Sequence, residues 1–374
     1  MSVECERVGG VNLSQGVCDL AVPAPVAKAA KEAIDRGQNS YSRHDGTAVL
    51  RDALAAKYRR RARLDVDPET NVVVSAGATG ALYCACLALL EPGDEVILFE
   101  PYYSYHESTL IATEAVPVFV PTKAPDWSFS MTDLESVVTD RTRAIIVNTP
   151  SNPSGKVWTR AELDRIAAFS KRHDLFVFTD EIYEHFIFDD LEHISAASLP
   201  GMWDRTITIS GLSKTFSITG WRIGYAICAE KWAKAIGNFS DLIYVCAPTP
   251  LQVGAAAGVV ELDDEYFAKL AAKYRLKRET LCTALDRVGL TPCVPQGAYY
   301  VLADVSSLQG NNSKERAMYL LEKTGVASVP GKSFFKGPEG EAIVRFCFAK
   351  EDAVIEDACR RLETLRSSRA QAAG

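Results

Sequence analysis

The segment SGLSKTFSITGWRIGY, residues 210–225, decides how the rest of the chain is interpreted. It begins at the end of a β-rich run, and Lys214 follows that end among small and hydroxyl-bearing residues. Desolvation can keep a lysine partly neutral in such a place, and a neutral amine is a nucleophile. Arg222 lies eight positions further on. Either residue alone would more often belong to a solvated surface pair, but the whole segment predicts a reactive lysine near an arginine.

Around this segment the chain alternates short β-rich runs with helical stretches, among them Ala78–Leu90, Thr132–Val138 and Arg160–Lys171. The predicted strands are Asn71–Ser75, Glu95–Phe99, Val116–Val120, Arg143–Asn148, Leu175–Thr179, Thr206–Ser210 and Ile223–Cys228. This alternation predicts an α/β domain with a mostly parallel sheet of seven strands. Ligands of such sheets bind at the carboxyl ends of the strands.

The ends of the chain have a different pattern. Further helices are expected at 24–36, 47–63, 264–290, 312–324 and 350–367, and further strands at 298–304, 326–328 and 342–346. The late strands and helices indicate a smaller α+β domain at the C-terminus. We expect an N-terminal segment (1–40) that packs with the small domain, a large domain (41–275) and the small domain itself (276–374).

Composition excludes several classes of protein. The chain has 374 residues, is 47% hydrophobic and 24% charged, and is therefore expected to fold. Its net charge of −7 argues against a nucleic-acid binder. The uncharged stretches 72–90 and 242–260 contain breakers and are expected to be buried elements, not membrane spans. No zinc-type spacing of cysteine or histidine is present, and the start lacks secretory features, so a cytoplasmic protein without a metal is expected.

A basic cluster lies at the end of the helix expected at 47–63. It contains Lys57, Arg59, Arg60, Arg61 and Arg63. Runs of this kind are typical of a solvated helix end, and we expect all of these side chains to face water.

Residues 210–225 resemble the lysine-attachment motif of the class I and II aminotransferases, enzymes of fold type I that depend on pyridoxal 5′-phosphate (PLP). Further motifs follow in the family's order over nearly the whole chain. The resemblance implies that Lys214 forms the Schiff base with PLP and later moves a proton between the substrate and the cofactor. An imine conjugated to a protonated pyridine is an electron sink, which makes the Cα proton of an amino acid acidic.

Two further motifs resemble the family's contacts to the pyridine ring. Asp180-Glu181-Ile182-Tyr183 is similar to its Asp-x-x-Tyr, which implies that Asp180 pairs with the ring nitrogen and Tyr183 with the phenolic oxygen. A lone aspartate at a strand end would otherwise more often be a helix cap. Tyr103, in the segment 100–105 after a strand, matches the aromatic residue that stacks on the ring.

The loop 148–156 resembles the family's Asn-Pro-x-Gly signature. The resemblance assigns Asn152 to the phenolic oxygen and to the substrate carboxylate. The Asn152–Pro153 bond is a candidate cis peptide.

A turn of small residues between a strand and a helix, residues 75–82, resembles the family's phosphate cup. Small residues allow backbone N–H groups to approach an anion at a helix N-terminus. The resemblance implies contributions from Gly77, Ala78 and Thr79, completed by Arg222 and Ser213. A P-loop is excluded because no Gly-Lys-Ser/Thr follows.

Three more positions concern the partner subunit and the substrate. Tyr41 matches the family tyrosine that reaches the phosphate of the other subunit's PLP, which implies a homodimer with shared active sites. Arg345 matches the small-domain arginine that binds the substrate carboxylate, and Gly16 matches a glycine lining the substrate site. The usual Pro-Asp-Phe after this glycine is replaced here by 18–20, Cys-Asp-Leu, and Cys18 is expected to be a packed thiol.

The resemblance therefore implies a transaminase that moves an amino group from an L-amino acid to a 2-oxo acid by a ping-pong mechanism. The branch it resembles contains kynurenine, aromatic, methionine, glutamine and prokaryotic aspartate aminotransferases. We expect the amino donor to be neutral or aromatic, or the donor specificity to be broad. Only Lys332 and Arg43 are candidates for binding the distal carboxylate of an acidic donor. Alternatives on the same fold are a β-lyase, an oxidase, a cyclase or an aspartate-specific aminotransferase, and a PLP-sensing transcription regulator is a further one.

Overall fold

The computed structural model describes residues 1–366. Its helices are α1 (Ser2–Arg7), α2 (Ala24–Asp35), α3 (Ala48–Arg61), α4 (Gly77–Leu89), α5 (Ser104–Ala112), α6 (Met131–Ser136), α7 (Arg160–Arg172), α8 (Glu230–Tyr244), α9 (Thr249–Glu261), α10 (Asp264–Arg287), α11 (Ser313–Thr324) and α12 (Asp352–Leu362). Its strands are β1 (Val11–Asn12), β2 (Val72–Ala76), β3 (Glu95–Glu100), β4 (Val116–Lys123), β5 (Ser128–Phe129), β6 (Thr142–Asn148), β7 (Phe176–Asp180), β8 (Thr206–Gly211), β9 (Ile223–Ile227), β10 (Thr291–Cys293), β11 (Tyr300–Asp304), β12 (Val326–Ala327), β13 (Val329–Pro330) and β14 (Ile343–Cys347).

The large sheet has the strand order β2-β9-β8-β7-β6-β3-β4-β5. The run from β8 to β4 is parallel, whereas β9 is antiparallel to both of its neighbours. All seven predicted strands are present, and the α/β class is confirmed. The sheet gains β5, a two-residue antiparallel extension of β4 that is too short to show a period in the sequence.

Both faces of this sheet are covered by helices, and successive strand residues enter different cores. Leu98 and Ile146 pack in one core with side chains of α4 and α8, while Ile97 and Ile145 pack in another with side chains of α7. Successive side chains of a strand point to opposite faces, so a strand covered on both faces must be apolar throughout. This burial explains why these strands are continuous hydrophobic runs in the sequence.

A second, antiparallel sheet with the order β10-β11-β14-β13 is formed by the C-terminal part. The N-terminal segment divides between the two parts of the molecule. Its strand β1 pairs with β12, whereas α2 packs against α9. Helices α1, α5, α8 and α9 were not predicted. The uncharged stretch 242–260 contains the end of α8 and most of α9, separated by a turn at Val245 with a φ of 64°.

The expectation for Lys57 was wrong. Its side chain is buried, forms a salt bridge with Glu184 and donates to the Tyr225 hydroxyl at 2.8 Å. Lys57 lies on the face of α3 that packs toward the sheet, where a buried carboxylate compensates the charge. Within residues 1–366, no helix is both long enough and apolar enough to cross a bilayer.

Candidate active site

A cavity of about 600 Å³ lies at the carboxyl ends of β6, β7 and β8. It is lined by most of the residues that the sequence singled out, namely Gly16, Ala78, Thr79, Tyr103, Asn152, Asp180, Tyr183, Ser213, Lys214, Arg222 and Arg345. Gly77 lies just behind this wall, against Arg222. Tyr41 does not line the cavity and is 81% exposed. Strands that end at one edge of a parallel sheet deliver these residues together although they are far apart in the chain.

Lys214 lies three residues after the end of β8, in a turn that places its amine in the cavity. The Nζ atom donates to the backbone oxygen of Gly16 at 2.9 Å. Burial lowers the pKa of Lys214 below the ordinary lysine value, and the positive charge of Arg222 acts in the same direction. The amine is therefore neutral, and nucleophilic, at a lower pH than an exposed lysine.

This shift predicts how the rate at which Lys214 condenses with an added aldehyde, for which PLP serves as the probe, depends on pH. Because only the neutral amine attacks a carbonyl, the capture rate should rise with pH and level off at a pH below the plateau of an ordinary lysine. Stopped-flow absorbance measured across pH checks this, with Nα-acetyl-lysine as the control amine. A plateau at the same pH as that of the control amine would contradict a lowered pKa.

Asp180 is the last residue of β7, and its carboxylate is held from two sides. Oδ1 accepts the backbone N–H of Ile182 at 3.2 Å, and Oδ2 lies 2.9 Å from Nε2 of His106. Sequence reasoning missed His106, which lies on α5 three residues after Tyr103 and meets the Tyr103 ring edge-on at 5.3 Å. Tyr103 is the N-cap residue of α5, and the spacing of an aromatic N-cap residue and a histidine three positions later was the available signal.

Tyr183 and Asn152 occupy the wall next to Lys214 and Asp180. The Tyr183 hydroxyl lies 3.0 Å from the Tyr300 hydroxyl. The amide oxygen of Asn152 accepts from Nη1 of Arg345 at 2.8 Å, which leaves the amide NH2 group free to donate into the cavity. The Asn152–Pro153 peptide is cis.

The N-terminus of α4 and Arg222 form a cradle for an anion. Arg222 adopts a left-handed conformation with φ of 59°, and its Nη1 donates to the Thr219 oxygen at 2.9 Å. A Cβ atom on Gly77 would lie 2.1 Å from the Arg222 guanidinium, so only glycine allows this approach. Backbone N–H groups and a guanidinium that meet at a helix N-terminus bind phosphate well. Ser213 lines the same cavity.

Arg345 lies on β14, and its hydrogen bonds use only part of the N–H donors of its guanidinium. Nη2 donates to the Ser14 oxygen at 2.9 Å and Nη1 donates to Asn152, while the buried Nε has no partner within residues 1–366. The guanidinium lies over the rings of Tyr300 and Phe334, at 4.3 and 4.9 Å from the centroids. A guanidinium has five N–H donors, so this arrangement can still bind a carboxylate at two points.

The N-terminal segment closes the cavity through Gly16. Its oxygen accepts the amine of Lys214, and a Cβ atom at this position would lie 1.9 Å from the Tyr300 hydroxyl. Cys18 is buried with its Sγ 3.5 Å from the Tyr299 hydroxyl, and burial raises the pKa of its thiol. The Cys18 thiol is therefore protonated and packed.

Arg43 and Lys332, the two cations considered for a distal carboxylate, do not line the cavity. Arg43 is paired with Asp45 and Glu69. Lys332 donates to the Lys336 oxygen at 3.2 Å on the surface. Neither side chain is available to the cavity of its own subunit in this conformation.

The comparisons with known proteins agree with this geometry. The family model described as "Aminotransferase class I and II" matches residues 8–362. Kynurenine–oxoglutarate transaminase 3 of Rattus norvegicus is 36% identical over 378 residues, which cover 93% of this chain and 83% of that protein. The structure of N-succinyldiaminopimelate aminotransferase from Mycobacterium tuberculosis superposes with a TM-score of 0.94 at 37% identity, covering 98% of this chain and 96% of the other. The aromatic aminotransferase from Pyrococcus horikoshii OT3 superposes with a TM-score of 0.91 at 34% identity, covering 99% of each chain.

Proposed function

Since the chain belongs to the class I and II aminotransferase family, whose enzymes move an amino group from an amino acid to a 2-oxo acid, we propose that its cavity holds PLP and serves a neutral or aromatic amino donor. The observation that carries the proposal is the meeting of the Lys214 amine, the Asp180 carboxylate and the Arg222 anion cradle in one cavity. These three groups complement the aldehyde, the ring nitrogen and the phosphate of PLP.

The remaining side chains fit the same cofactor. Tyr103 would lie on the ring face, and its own ring is kept in place by stacking on Tyr105 at 5.0 Å. Tyr183 and the NH2 group of Asn152 would donate to the phenolic oxygen. Gly77, Ala78 and Thr79 would present backbone N–H groups to the phosphate, with Arg222 and Ser213 beside them.

Lys214, Asp180 and Arg345 have separate roles in the proposed transamination. The chemistry that PLP would supply when bound is electron withdrawal from the substrate Cα, which would acidify the Cα proton. Lys214, whose pKa is lowered by burial, would remove that proton as a general base and deliver it as a general acid. Asp180 holds a proton on the ring nitrogen, since a buried carboxylate stabilises the adjacent positive charge. Arg345 binds the substrate carboxylate and thereby orients the Cα–H bond. A second 2-oxo acid would take the same route in reverse.

The charges of the cavity argue for a neutral or aromatic donor. Within residues 1–366 the cationic and titratable nitrogen-bearing side chains of the lining belong to His106, Lys214, Arg222 and Arg345. Each of these side chains has a hydrogen-bond partner or a proposed role in binding or catalysis. No cationic side chain of the lining therefore remains to bind the distal carboxylate of a dicarboxylic substrate. The substrate side of the wall includes the rings of Tyr105 and Phe334, which favour an apolar side chain.

A half-reaction screen tests this proposal. Each donor is mixed with the PLP-loaded enzyme, and conversion to the pyridoxamine form is followed by absorbance. The panel includes kynurenine, phenylalanine, tyrosine, methionine, aspartate and N-succinyl-diaminopimelate. We expect the neutral and aromatic donors to react fastest. A strict preference for aspartate would contradict the proposed donor class, and release of ammonia or peroxide would contradict transamination.

Replacing Arg345 by glutamine should chiefly weaken substrate binding. The variant loses the charged, two-point contact to the α-carboxylate, and we expect kcat/KM for the best donor to fall by about 10²- to 10³-fold. Steady-state kinetics with the carboxylate donor and with the corresponding amine, which lacks the carboxylate, separates this effect from misfolding. The rate with the amine should change little, and an equal loss for both substrates would contradict the assignment.

We also propose that Tyr41 acts in a second copy of this chain, which makes the enzyme a homodimer with shared sites. The loop of Tyr41 is tied to α9, because the Thr249 hydroxyl donates to the Ser40 oxygen at 2.7 Å. A few residues before Thr249 in the chain, Leu242 is 80% exposed and Val245 is also exposed at the end of α8. Exposed apolar side chains in the segment next to the residue that holds the Tyr41 loop support burial by a partner.

Mixed dimers test the shared site. A Tyr41→Ala chain and a Lys214→Ala chain are each expected to be poorly active. Together they should regain activity, because one of the two sites in the mixed dimer combines an intact Tyr41 with an intact Lys214. Static light scattering gives the mass of each preparation. A monomer by mass, or no gain on mixing chains that do exchange, would contradict the proposal.

A further inference from the structure

Tyr300, the first residue of β11, is 2% exposed and reaches the cavity between Tyr183 and Arg345. We propose that Tyr300 is a positioning residue whose hydroxyl donates to Tyr183 and so directs the proton of the Tyr183 hydroxyl toward the phenolic oxygen of the cofactor. The proposal rests on the proposed function, because it assumes that PLP occupies the cavity.

The hydroxyl groups of Tyr300 and Tyr183 form an isolated pair among the described residues. Their oxygens lie 3.0 Å apart, and within residues 1–366 the structure shows no other side-chain partner for either. A phenol has one proton to donate and can also accept. If Tyr183 accepts from Tyr300, its own proton is left for a third group, and the cavity is the open direction. The Tyr183 ring is held by edge-on contacts with Tyr299 at 5.0 Å and Phe186 at 6.2 Å, so the hydroxyl keeps its place.

The surrounding charges indicate which of the two phenols donates the hydrogen bond. Burial raises the pKa of both phenols above the ordinary tyrosine value. At Tyr300 the Arg345 guanidinium opposes this rise, whereas the neighbouring Asp180 adds to it at Tyr183. The guanidinium of Arg345, 4.3 Å from the centroid of the Tyr300 ring, therefore favours Tyr300 as the donor of the pair. The more acidic hydroxyl is the better donor, and the less acidic one is the better acceptor.

Arg345 and Gly16 hold the Tyr300 hydroxyl in this position. Arg345 lies over the ring of Tyr300, with 4.3 Å from the guanidinium carbon to the centroid. Gly16 leaves room on the other side, since a Cβ atom there would lie 1.9 Å from the hydroxyl oxygen. The absence of a side chain at Gly16 thus serves Tyr300 as well as the substrate space.

The consequence is measurable in the visible absorbance of the loaded enzyme, whose pH midpoint reports the proton shared between the Lys214 nitrogen and the phenolic oxygen. A donor to that oxygen stabilises the form from which the shared proton has left, and so lowers the midpoint. Replacing Tyr300 by phenylalanine keeps the ring over Arg345 but removes the hydroxyl. We expect the midpoint to rise by about 0.5 to 1 pH unit, the size of one neutral hydrogen bond.

Two further variants separate positioning from a structural effect. Tyr274→Phe removes a buried hydroxyl of the same core whose residue does not line the cavity, and it should leave the midpoint unchanged. In a Tyr183→Phe background, adding Tyr300→Phe should cause no further shift, because Tyr300 acts through Tyr183. Gly16→Ala, which displaces the Tyr300 hydroxyl, should move the midpoint in the same direction as Tyr300→Phe.

The outcomes are distinct. An unchanged midpoint in Tyr300→Phe, or an equal shift with and without the Tyr183 hydroxyl, would overturn the role of Tyr300. If the wild-type protein gave no such absorbance with PLP, the proposed function itself would fail. Should Tyr300→Phe fail to fold, the Gly16→Ala titration decides alone, and a midpoint equal to that of wild type would overturn the proposal.

Discussion

Replacing Lys214 by alanine is expected to lower the transamination rate by a factor on the order of 10⁴. In the proposed mechanism the variant loses the amine that would bind PLP covalently and that would also be the base removing the Cα proton. The cradle around Arg222 and the carboxylate of Asp180 are left in place, so PLP should still bind without a covalent bond. Single-turnover kinetics measures the rate of proton removal, and a titration with PLP measures binding separately.

The control for this variant is Lys332→Ala, which removes an exposed lysine outside the cavity. PLP reacts slowly with exposed lysines, and this variant should keep the rate within about two-fold of wild type. Reduction of the loaded wild-type enzyme with borohydride, followed by peptide mapping, should place the cofactor on Lys214. Label on another lysine, or a Lys214→Ala variant with appreciable activity, would contradict the assignment.

The sequence predicted the parts of the fold that repeat a simple local pattern. The strands β3 and β6 were found because strands covered on both faces contain unbroken apolar runs, here Val96–Phe99 and Ala144–Val147. Helices α8 and α9 were missed for the opposite reason. The stretch 242–260 is uncharged over its whole length, so it gives no amphipathic period that would show where one helix ends and the next begins. Only the turn at Val245 separates them in three dimensions.

The burial of Lys57 could not be inferred from its neighbours in the chain. Four arginines follow it within six residues and indicate a solvated helix end. Its partner Glu184 is 127 residues away, and the pairing depends on how α3 packs against the sheet. A buried ion pair is a property of the tertiary structure, and local charge patterns cannot report it.

The site residues show the same limit. The prediction that Lys214 is a reactive amine needed only the residues around it in the sequence. The prediction that Asn152 and Arg345 lie in one site needed the family resemblance, since 193 residues separate them. His106 and Tyr300 were missed by both routes. Each acts through another side chain, Asp180 and Tyr183 respectively, and contacts of this kind appear only when distances between side chains are known.

Asp180→Asn should give the second large loss, about 10³-fold in the rate of Cα proton removal. The two side chains have nearly the same shape, but asparagine carries no charge and cannot hold a proton on the ring nitrogen. Without that proton the ring draws electrons from Cα less strongly, while the binding of phosphate at Arg222 should be unaffected. Single-turnover kinetics with deuterium at the substrate Cα measures the step, since proton removal should become fully rate-limiting and the isotope effect should increase.

His106→Asn separates the charge of Asp180 from its orientation. This variant keeps the carboxylate but loses the imidazole that holds Oδ2 at 2.9 Å, and we expect a loss of only about ten-fold. If the effect of Asp180 were orientation alone, Asp180→Asn would be no more impaired than His106→Asn, because the asparagine amide keeps the shape of the side chain and can still form a hydrogen bond with His106. A much larger loss in Asp180→Asn than in His106→Asn therefore identifies the negative charge as the contribution of Asp180. Equal losses would assign Asp180 a role in packing and would leave the ring nitrogen without its proposed partner.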